Sequence, residues 1–527
     1  MTNRSTEEEL LQPEESNANV IVSSKQSPEK REHEDDPAQK SLLEEKNDQI
    51  EIGKSTDKGV FHQALLTGAV LLIGAAGGMP IGFSNVILPQ LTNSTDPLDM
   101  DLDTGSWFAS IHSLSAPIGA FVSGPVMDRY GRRAALMAVG PTMMLGWILI
   151  ALASSHAFLL AGRFIAGIGV GMLTGPAQII IAECSEPRLR GFFMSVPFVS
   201  YAAGILLIYF LGTFLNWRTV AWWCNVLPIL SFIAVFLVPE SPVWLVKRKM
   251  YSEAEAALTW LRGNPVAVRT ELSELVKRCE DQNTITGGNE SIFKTCARPS
   301  VLKPLVLINI FHLMMILSGT YLIIFYASKI ISDFGTEVNT STAAVYTAIA
   351  RVIFTISASF LMYHLKRRTL SIVSGVGSCL STIILAVFTY SRMGEQKSSV
   401  DIIVPAICIL CYLAANTNFM VLPGVMVGEL LPAHVRGRVA GYIFVLYNIM
   451  IFLATKLFPY LSIYLKSHGV FMMFGLASFG AALLNYLILP ETKGKTLGEI
   501  EDYFQGKNWF WFARKNRKND PGKVVPL

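Results

Sequence analysis

Pro239-Glu240-Ser241-Pro242-Val243-Trp244 opens a polar, helix-patterned stretch that runs to Ser300 and includes Leu261-Arg262-Gly263. Long apolar runs flank it on both sides, and the second set closes with Pro490-Glu491-Thr492-Lys493, an echo of the first motif. The chain therefore reads as two related halves, each ending at the same acidic corner, joined by a soluble loop. With 51% hydrophobic and only 16% charged residues, the composition is that of a polytopic membrane protein and not of a soluble enzyme. The seven cysteines are scattered, so neither a disulfide framework nor a zinc site is expected. No nucleophile arrangement, metal cluster or phosphate loop argues for an enzyme, a cofactor or a nucleic-acid partner; the expected partners are a small-molecule substrate and the bilayer.

A span needs about 20 mostly apolar residues. That rule predicts twelve helices, over 62–88, 105–127, 134–154, 157–182, 193–215, 219–238, 301–327, 342–363, 370–390, 401–428, 438–463 and 470–489. The predicted units are a disordered tail (1–58), a first helical set (59–238), the central loop (239–300), a second helical set (301–489) and a C-terminal tail (490–527). The tail before the first span is polar and almost without aromatics, too poor in apolar surface to offset the entropy of ordering. Arg129, Arg132 and Arg133, Arg188 and Arg190, Lys366, Arg367 and Arg368, and Arg436 and Arg438 all fall on one side, with the central loop and both tails. Positive charge marks the cytosolic side, so both termini are predicted cytosolic. The glycosylation sequons at Asn93 and Asn339 fall in loops on the opposite side.

The halves repeat. Glu183 precedes Arg190-Gly191 by seven residues and Glu429 precedes Arg436-Gly437 by seven; Arg132-Arg133 follows the second span as Arg367-Arg368 follows the eighth. Such repeats in a twelve-span chain predict an all-α membrane protein of two six-helix bundles, with a substrate site between them at mid-depth. Asp128, Arg132, Arg133, Glu183, Arg190, Glu240, Arg367, Arg368, Glu429, Arg436 and Glu491 then form a charged network at the cytosolic helix ends, expected to pair when the bundles close there and to separate when they open.

These residues resemble the sugar porters of the major facilitator superfamily, and within it the insect trehalose-transporter-like proteins. The resemblance spans roughly residues 60–505. It rests on Gly124-Pro-Val-Met-Asp-Arg-Tyr-Gly-Arg-Arg133, Gly162-Arg163, Glu183 to Gly191, the motif at Pro239 to Trp244, Leu317-Ser318-Gly319, Glu429 to Gly437 and Pro490 to Leu497. Gly82-Phe83-Ser84, Trp260-Leu261-Arg262-Gly263 and Thr455-Lys456 give it the insect character. It implies transport at the plasma membrane by rocking of two bundles, the major facilitator fold. Counting from these motifs, the family's sugar-binding positions fall on Phe198, Met315, Ile316, Ser318, Thr320, Tyr321, Arg351, Asn416, Gly424 and Tyr447, with His312 one turn before Met315 as a further candidate that could assist or simply be hydrogen-bonded within the bundle. Several polar ligands of hexose porters are thus replaced: a glutamine by Phe198, asparagines by Arg351 and Tyr447, and a glutamate and a tryptophan by Asn416 and Gly424.

Arg351 falls midway along a predicted span, where a charge costs about 2.5–3.5 kcal/mol on insertion scales. Two readings follow: it bonds backbone carbonyls or cavity water, or it binds an anionic group of the substrate. The first span holds no Asp or Glu over 62–88, where proton-coupled members of the family carry a carboxylate, so facilitated diffusion is expected. The function classes are therefore a facilitative sugar carrier, a carrier of the same fold for a non-sugar and possibly anionic metabolite, and a non-transporting sensor.

Overall fold

The computed structural model describes residues 56–92, 97–285, 298–326, 340–393, 400–431, 436–492, 500 and 503–504. The asparagines of both sequons, nearly all of the N-terminal tail and the C-terminal tail beyond 504 lie outside them. Every regular element among the described residues is a helix. The first half holds α1 (Asp57–Leu91), α2 (Leu102–Tyr130), α3 (Arg132–Ala151), α4 (His156–Cys184), α5 (Pro187–Phe214), α6 (Trp217–Trp223) and α7 (Val226–Phe236). The loop forms α8 (Pro242–Lys247), α9 (Tyr251–Arg262) and α10 (Pro265–Ile285), and the second half α11 (Pro299–Leu317), α12 (Leu322–Phe325), α13 (Thr340–His364), α14 (Arg367–Ser391), α15 (Val400–Leu430) and α16 (Arg436–Ile488).

Local chemistry sets the ends. Thr56 and Asp101 cap α1 and α2 by accepting from Gly59 N at 3.2 Å and Thr104 N at 2.9 Å. Pro187, Pro242 and Pro299 sit in the first turns of α5, α8 and α11, where a missing N–H costs nothing.

Ten segments among the described residues are long and apolar enough to cross a membrane. Two differences from the predicted twelve have physical causes. Helix α2 is 29 residues long, but Ser106, Ser110, Ser113, Ser115, Ser123 and His112 dilute its apolar character. The spans predicted over 438–463 and 470–489 run together in α16 with no loop between them; the chain turns at Lys466 alone, with φ 56° and ψ 175°. Elsewhere a predicted span is interrupted. The one over 219–238 breaks at Cys224–Asn225, and the one over 301–327 breaks at Ser318–Tyr321, where Gly319 adopts φ +91° against the Phe474 ring.

Helices α1–α7 pack mainly on one another, through α2 on α4, α3 on α4 and α1 on α5; α11–α16 do likewise, through α14 on α16, α14 on α15 and α11 on α16. The halves meet where α2 packs on α16, α5 on α13 and α12 on α1. The central loop is fastened to the basic end of the first half. His62 stacks on Trp260 with centroids 4.4 Å apart, and Gln63 donates to Leu261 O at 3.0 Å. Arg262 donates to Cys184 O at 2.8 Å and forks onto Glu271 at 2.7 and 2.8 Å.

Candidate functional site

The charged residues singled out by the repeat assemble into two matching clusters. In the first half, Arg132 at the start of α3 forks onto Glu183 at the end of α4, Nε and Nη2 each 3.0 Å from a carboxylate oxygen. Ser241 Oγ donates to the same carboxylate. Glu240 caps α3 by accepting from the backbone N–H groups of Arg132 at 2.9 Å and Arg133 at 3.0 Å, which places its charge at the positive end of the helix dipole. Gly131, at φ +103°, is the turn that brings Glu240 there; a Cβ at this position would meet that carboxylate.

The second half repeats this residue for residue, although both Arg367 nitrogens reach the same oxygen of Glu429. Arg367 at the start of α14 donates to Glu429 through Nε and Nη2, both at 3.3 Å, and Thr492 donates to Glu429 at 2.5 Å. Glu491 caps α14 through Arg367 N at 3.0 Å and Arg368 N at 3.3 Å. Arg132 and Arg367 each reach the carbonyl five residues back, Met127 O and Met362 O. Arg133 and Arg368 donate to Phe236 O at 2.5 Å and Tyr486 O at 2.6 Å, each over the ring of the residue it bonds. By their spacing these charges are expected to pair as the halves close; the pairs lie within each half, so each cluster ties three segments of its own half together. Asp128 is exposed and 3.9 Å from Arg132. Arg190 turns to Ser185 O at 3.5 Å and stands outside the cluster, and the Arg436 side chain is outside the described residues.

At mid-depth the predicted substrate residues divide into two groups. Ser318, Thr320 and Asn416 are buried and bonded to one another: Thr320 Oγ1 donates to Asn416 Oδ1 at 2.7 Å and Asn416 Nδ2 to Ser318 Oγ at 3.1 Å. Tyr412 closes the set by donating to Ser318 O at 2.8 Å. Their polar groups satisfy the break between α11 and α12, with Met315 and Ile316 buried beside it. The second group gathers where the halves face each other. Tyr447 donates to the Tyr321 hydroxyl, its ring centroid lies 4.6 Å from that of His312, and a side chain at Gly424 would touch the Phe198 ring at 3.5 Å. Arg351 sits among Tyr209, Tyr321 and Tyr412 and is 4% exposed.

Away from the basic face, a contact between residues far apart in the sequence joins the halves. Lys456 of α16 donates to Asp103 Oδ1 at 2.6 Å and to Ser106 Oγ at 2.8 Å, with its ammonium 4.3 Å from the Trp107 ring centre. Tyr460 donates to the same Asp103 oxygen at 2.9 Å. Nearby, Tyr209 donates to Ile324 O at 2.5 Å and Tyr326 to Thr455 O at 3.1 Å. Lys456 and Tyr460 hold the Asp103 carboxyl below the usual carboxylate range. A depressed carboxyl pKa keeps its contribution above the ordinary carboxylate range and loses it only as pH falls through the lowered value, so this latch is fully formed at neutral pH. Beneath it lies a cavity of about 380 Å³ lined by Ser84, Asn85, Met100, Asp101, Phe325 and Tyr326. None of the eleven predicted substrate residues lines it. A lysine inside an apolar run was the signal available for the latch.

Taken together, an all-helical membrane chain with a duplicated Arg–Glu–hydroxyl cluster, and a polar seam where its halves meet, defines a polytopic carrier-type membrane protein. The chain belongs to the sugar (and other) transporter family, which it matches over residues 67–504. It is 29% identical to the facilitated trehalose transporter Tret1 of Bombyx mori over 85% of this chain and 88% of that one. It is also 29% identical to Tret1 of Drosophila erecta, over 93% of this chain but only 57% of that longer protein. Its fold is that of the major facilitator superfamily: the proton:xylose symporter XylE bound to 6-bromo-6-deoxy-D-glucose aligns with TM-score 0.69 at 20% identity, over 85% of this chain and 100% of that one. The inward-open conformation of XylE from E. coli aligns with TM-score 0.66, over 84% and 98%.

Proposed function

We propose that this chain is a facilitative carrier of the sugar-porter type, moving a sugar such as trehalose or a hexose by alternating access. The observation that carries this reading is the duplicated cluster: two sets of residues, 235 positions apart at Arg132 and Arg367, make the same bonds at the basic end of each half. A matched pair of rigid corners suits two halves that rock as bodies about a site between them. Counting α2, and dividing α16 at Lys466, gives twelve crossings in two six-helix bundles. The basic face is then cytosolic, with both termini on that side, in the plasma membrane. The sugar is inferred from the trehalose-transporter relatives.

Facilitated diffusion follows from the first span. Fully buried Arg163 of α4 directs its guanidinium at α1, donating to Ser84 Oγ at 2.6 Å, to Pro80 O and, on α2, to Phe108 O at 3.2 Å. Its side-chain partner on α1 is a hydroxyl and not a protonatable carboxylate. Counterflow in proteoliposomes tests the reading. Vesicles loaded with unlabelled trehalose or glucose are expected to accumulate the labelled sugar transiently, and a proton gradient is expected to leave the rate unchanged. Uphill uptake driven by that gradient would contradict the facilitative assignment.

The Lys456–Asp103 latch then closes the outer end. Lys456→Met removes both the ion pair with Asp103 and the ammonium–ring contact with Trp107, so it is expected to shift the open–closed balance towards outer-open. Modification of a cysteine placed at Met100, in the cavity below the latch, by a membrane-impermeant maleimide should quicken accordingly. The Asp103→Lys/Lys456→Asp double variant should restore the part of the protection that the ion pair supplies. An unchanged rate in Lys456→Met would remove the latch from the account.

A further inference from the structure

Arg163 and Arg351 are two deeply buried arginines in spanning helices, and they differ in one respect. Arg163 spends its guanidinium on Phe108 O, Pro80 O and Ser84 Oγ, with its charge 4.9 Å from the centre of the Phe108 ring. That set accounts for its burial as a structural rivet. Arg351, midway along α13, has no such set. Its Nη1 lies 3.9 Å from Met420 Sδ, a weak acceptor, and among the described residues neither Nε nor Nη2 donates to any acceptor. Arg351 is buried as a residue, yet its unbonded nitrogens are not sealed off from solvent, so the fork is open for a ligand to complete.

Its surroundings favour one kind of completion. Tyr209 and Tyr412 give their hydroxyl hydrogens to Ile324 O and Ser318 O, so toward Arg351 they offer lone pairs only. Tyr321 accepts the hydrogen of Tyr447, so its own hydrogen remains available to donate. The seam thus holds one planar guanidinium fork, one hydroxyl donor and the His312 imidazole, whose Nδ1 has no hydrogen-bond partner among the described residues, with aromatic faces around them, while Arg163 is already committed. A carboxylate matches this set: one negative charge, planar, accepting two parallel bonds from the fork and a third from a hydroxyl. A phosphate dianion would leave a buried negative charge unmatched.

We propose that Arg351 is a specificity-determining residue that binds a carboxylate on a transported solute. On the carrier reading above, on which this rests, the substrates include acidic sugars, a hexuronate or an aldonate, beside the neutral ones. Because a carrier that moves a monoanion without a co-ion moves charge, its equilibrium must respond to membrane potential; 100 mV corresponds to about a 50-fold accumulation ratio.

The test uses the full chain in proteoliposomes with labelled glucuronate, gluconate, lactate, glucose and trehalose, under valinomycin-clamped potentials. The wild type is expected to take up glucuronate or gluconate saturably, faster with the interior positive. Arg351→Gln should lose at least tenfold of that uptake, and Arg351→Lys, which keeps the charge but not the fork, should retain part of it. Potential dependence and partial rescue by lysine are effects that a purely structural role would not produce, and thermal unfolding of each variant separates misfolding from lost recognition. Equal glucose or trehalose uptake in wild type and Arg351→Gln, with no acidic sugar carried, would overturn this proposal and leave the carrier reading standing. Uptake of lactate but of no sugar acid would overturn the acidic-sugar class. No transport of any solute by folded protein would overturn both.

Discussion

A Glu183→Ala protein is expected to lose transport and about 3–5 kcal/mol of stability. Glu183 and Arg132 are 16% and 7% exposed at their side chains, and breaking a buried pair by removing one partner leaves the other charge uncompensated. Arg132 would be left facing Met127 O and distant, exposed Asp128, while Ser241 would lose its acceptor. The duplicated cluster supplies an internal comparison. Arg367 and Glu429 are more exposed, at 18% and 27%, and their contacts are longer at 3.3 Å, so Glu429→Ala should cost less than Glu183→Ala while impairing transport in the same way. Thermal unfolding in nanodiscs alongside counterflow measures both. Equal stability of wild type and Glu183→Ala would mean the cluster does not hold the first half together.

The second large effect is expected at Gly171. Helices α2 and α4 approach so closely that a Cβ at Gly171 would collide with Ala116 O, and one at Gly119 with Ile168 O. These are backbone atoms, which cannot rotate away, so Gly171→Val must push two spanning helices apart. Overpacking usually costs about 1–3 kcal/mol, and more where nothing can yield. Gly171→Val is therefore expected to yield little monodisperse protein by size-exclusion chromatography. Gly124→Ala, on α2 with open space around its Cβ position, is expected to fold normally. Normal yield of Gly171→Val would refute the close α2–α4 contact.

The repeat was legible in the sequence because the same residue types recur at matching distances from the ends of apolar runs. Arg132-Arg133 and Arg367-Arg368, Glu183 and Glu429, and the acidic corners at Glu240 and Glu491 all take the places the pattern implies. What each charge bonds was not legible. Glu240 caps a helix 108 positions earlier, a relation set by how α3 and α7 pack and not by local periodicity. The mid-depth ligands show the same limit. Ser318, Thr320 and Asn416 are expected ligands by the family resemblance, yet the break at Gly319 frees backbone groups that these side chains answer. The latch joins residues 353 positions apart, and only Lys456, a charge in an apolar run, hinted at it. The turn at Lys466 falls between the spans predicted over 438–463 and 470–489, because a hydropathy pattern shows a gap in apolar residues but not how few residues the chain needs to reverse or bend.

Alternating motion of the two halves is the central claim, and paired distance measurements test it most directly. In a cysteine-free background, spin labels at Leu102 and Tyr464 report the end bearing the latch, and labels at Tyr130 and Leu365 report the basic end; all four side chains are exposed. Double electron–electron resonance with and without saturating substrate should resolve two populations at each end that change in opposite senses: as Leu102 and Tyr464 separate, Tyr130 and Leu365 approach. Removing the latch with Lys456→Met should enrich the population with the longer Leu102–Tyr464 distance. A single fixed distance at both ends, unmoved by any transported solute or by that variant, would contradict the account and leave a static membrane protein on a carrier scaffold.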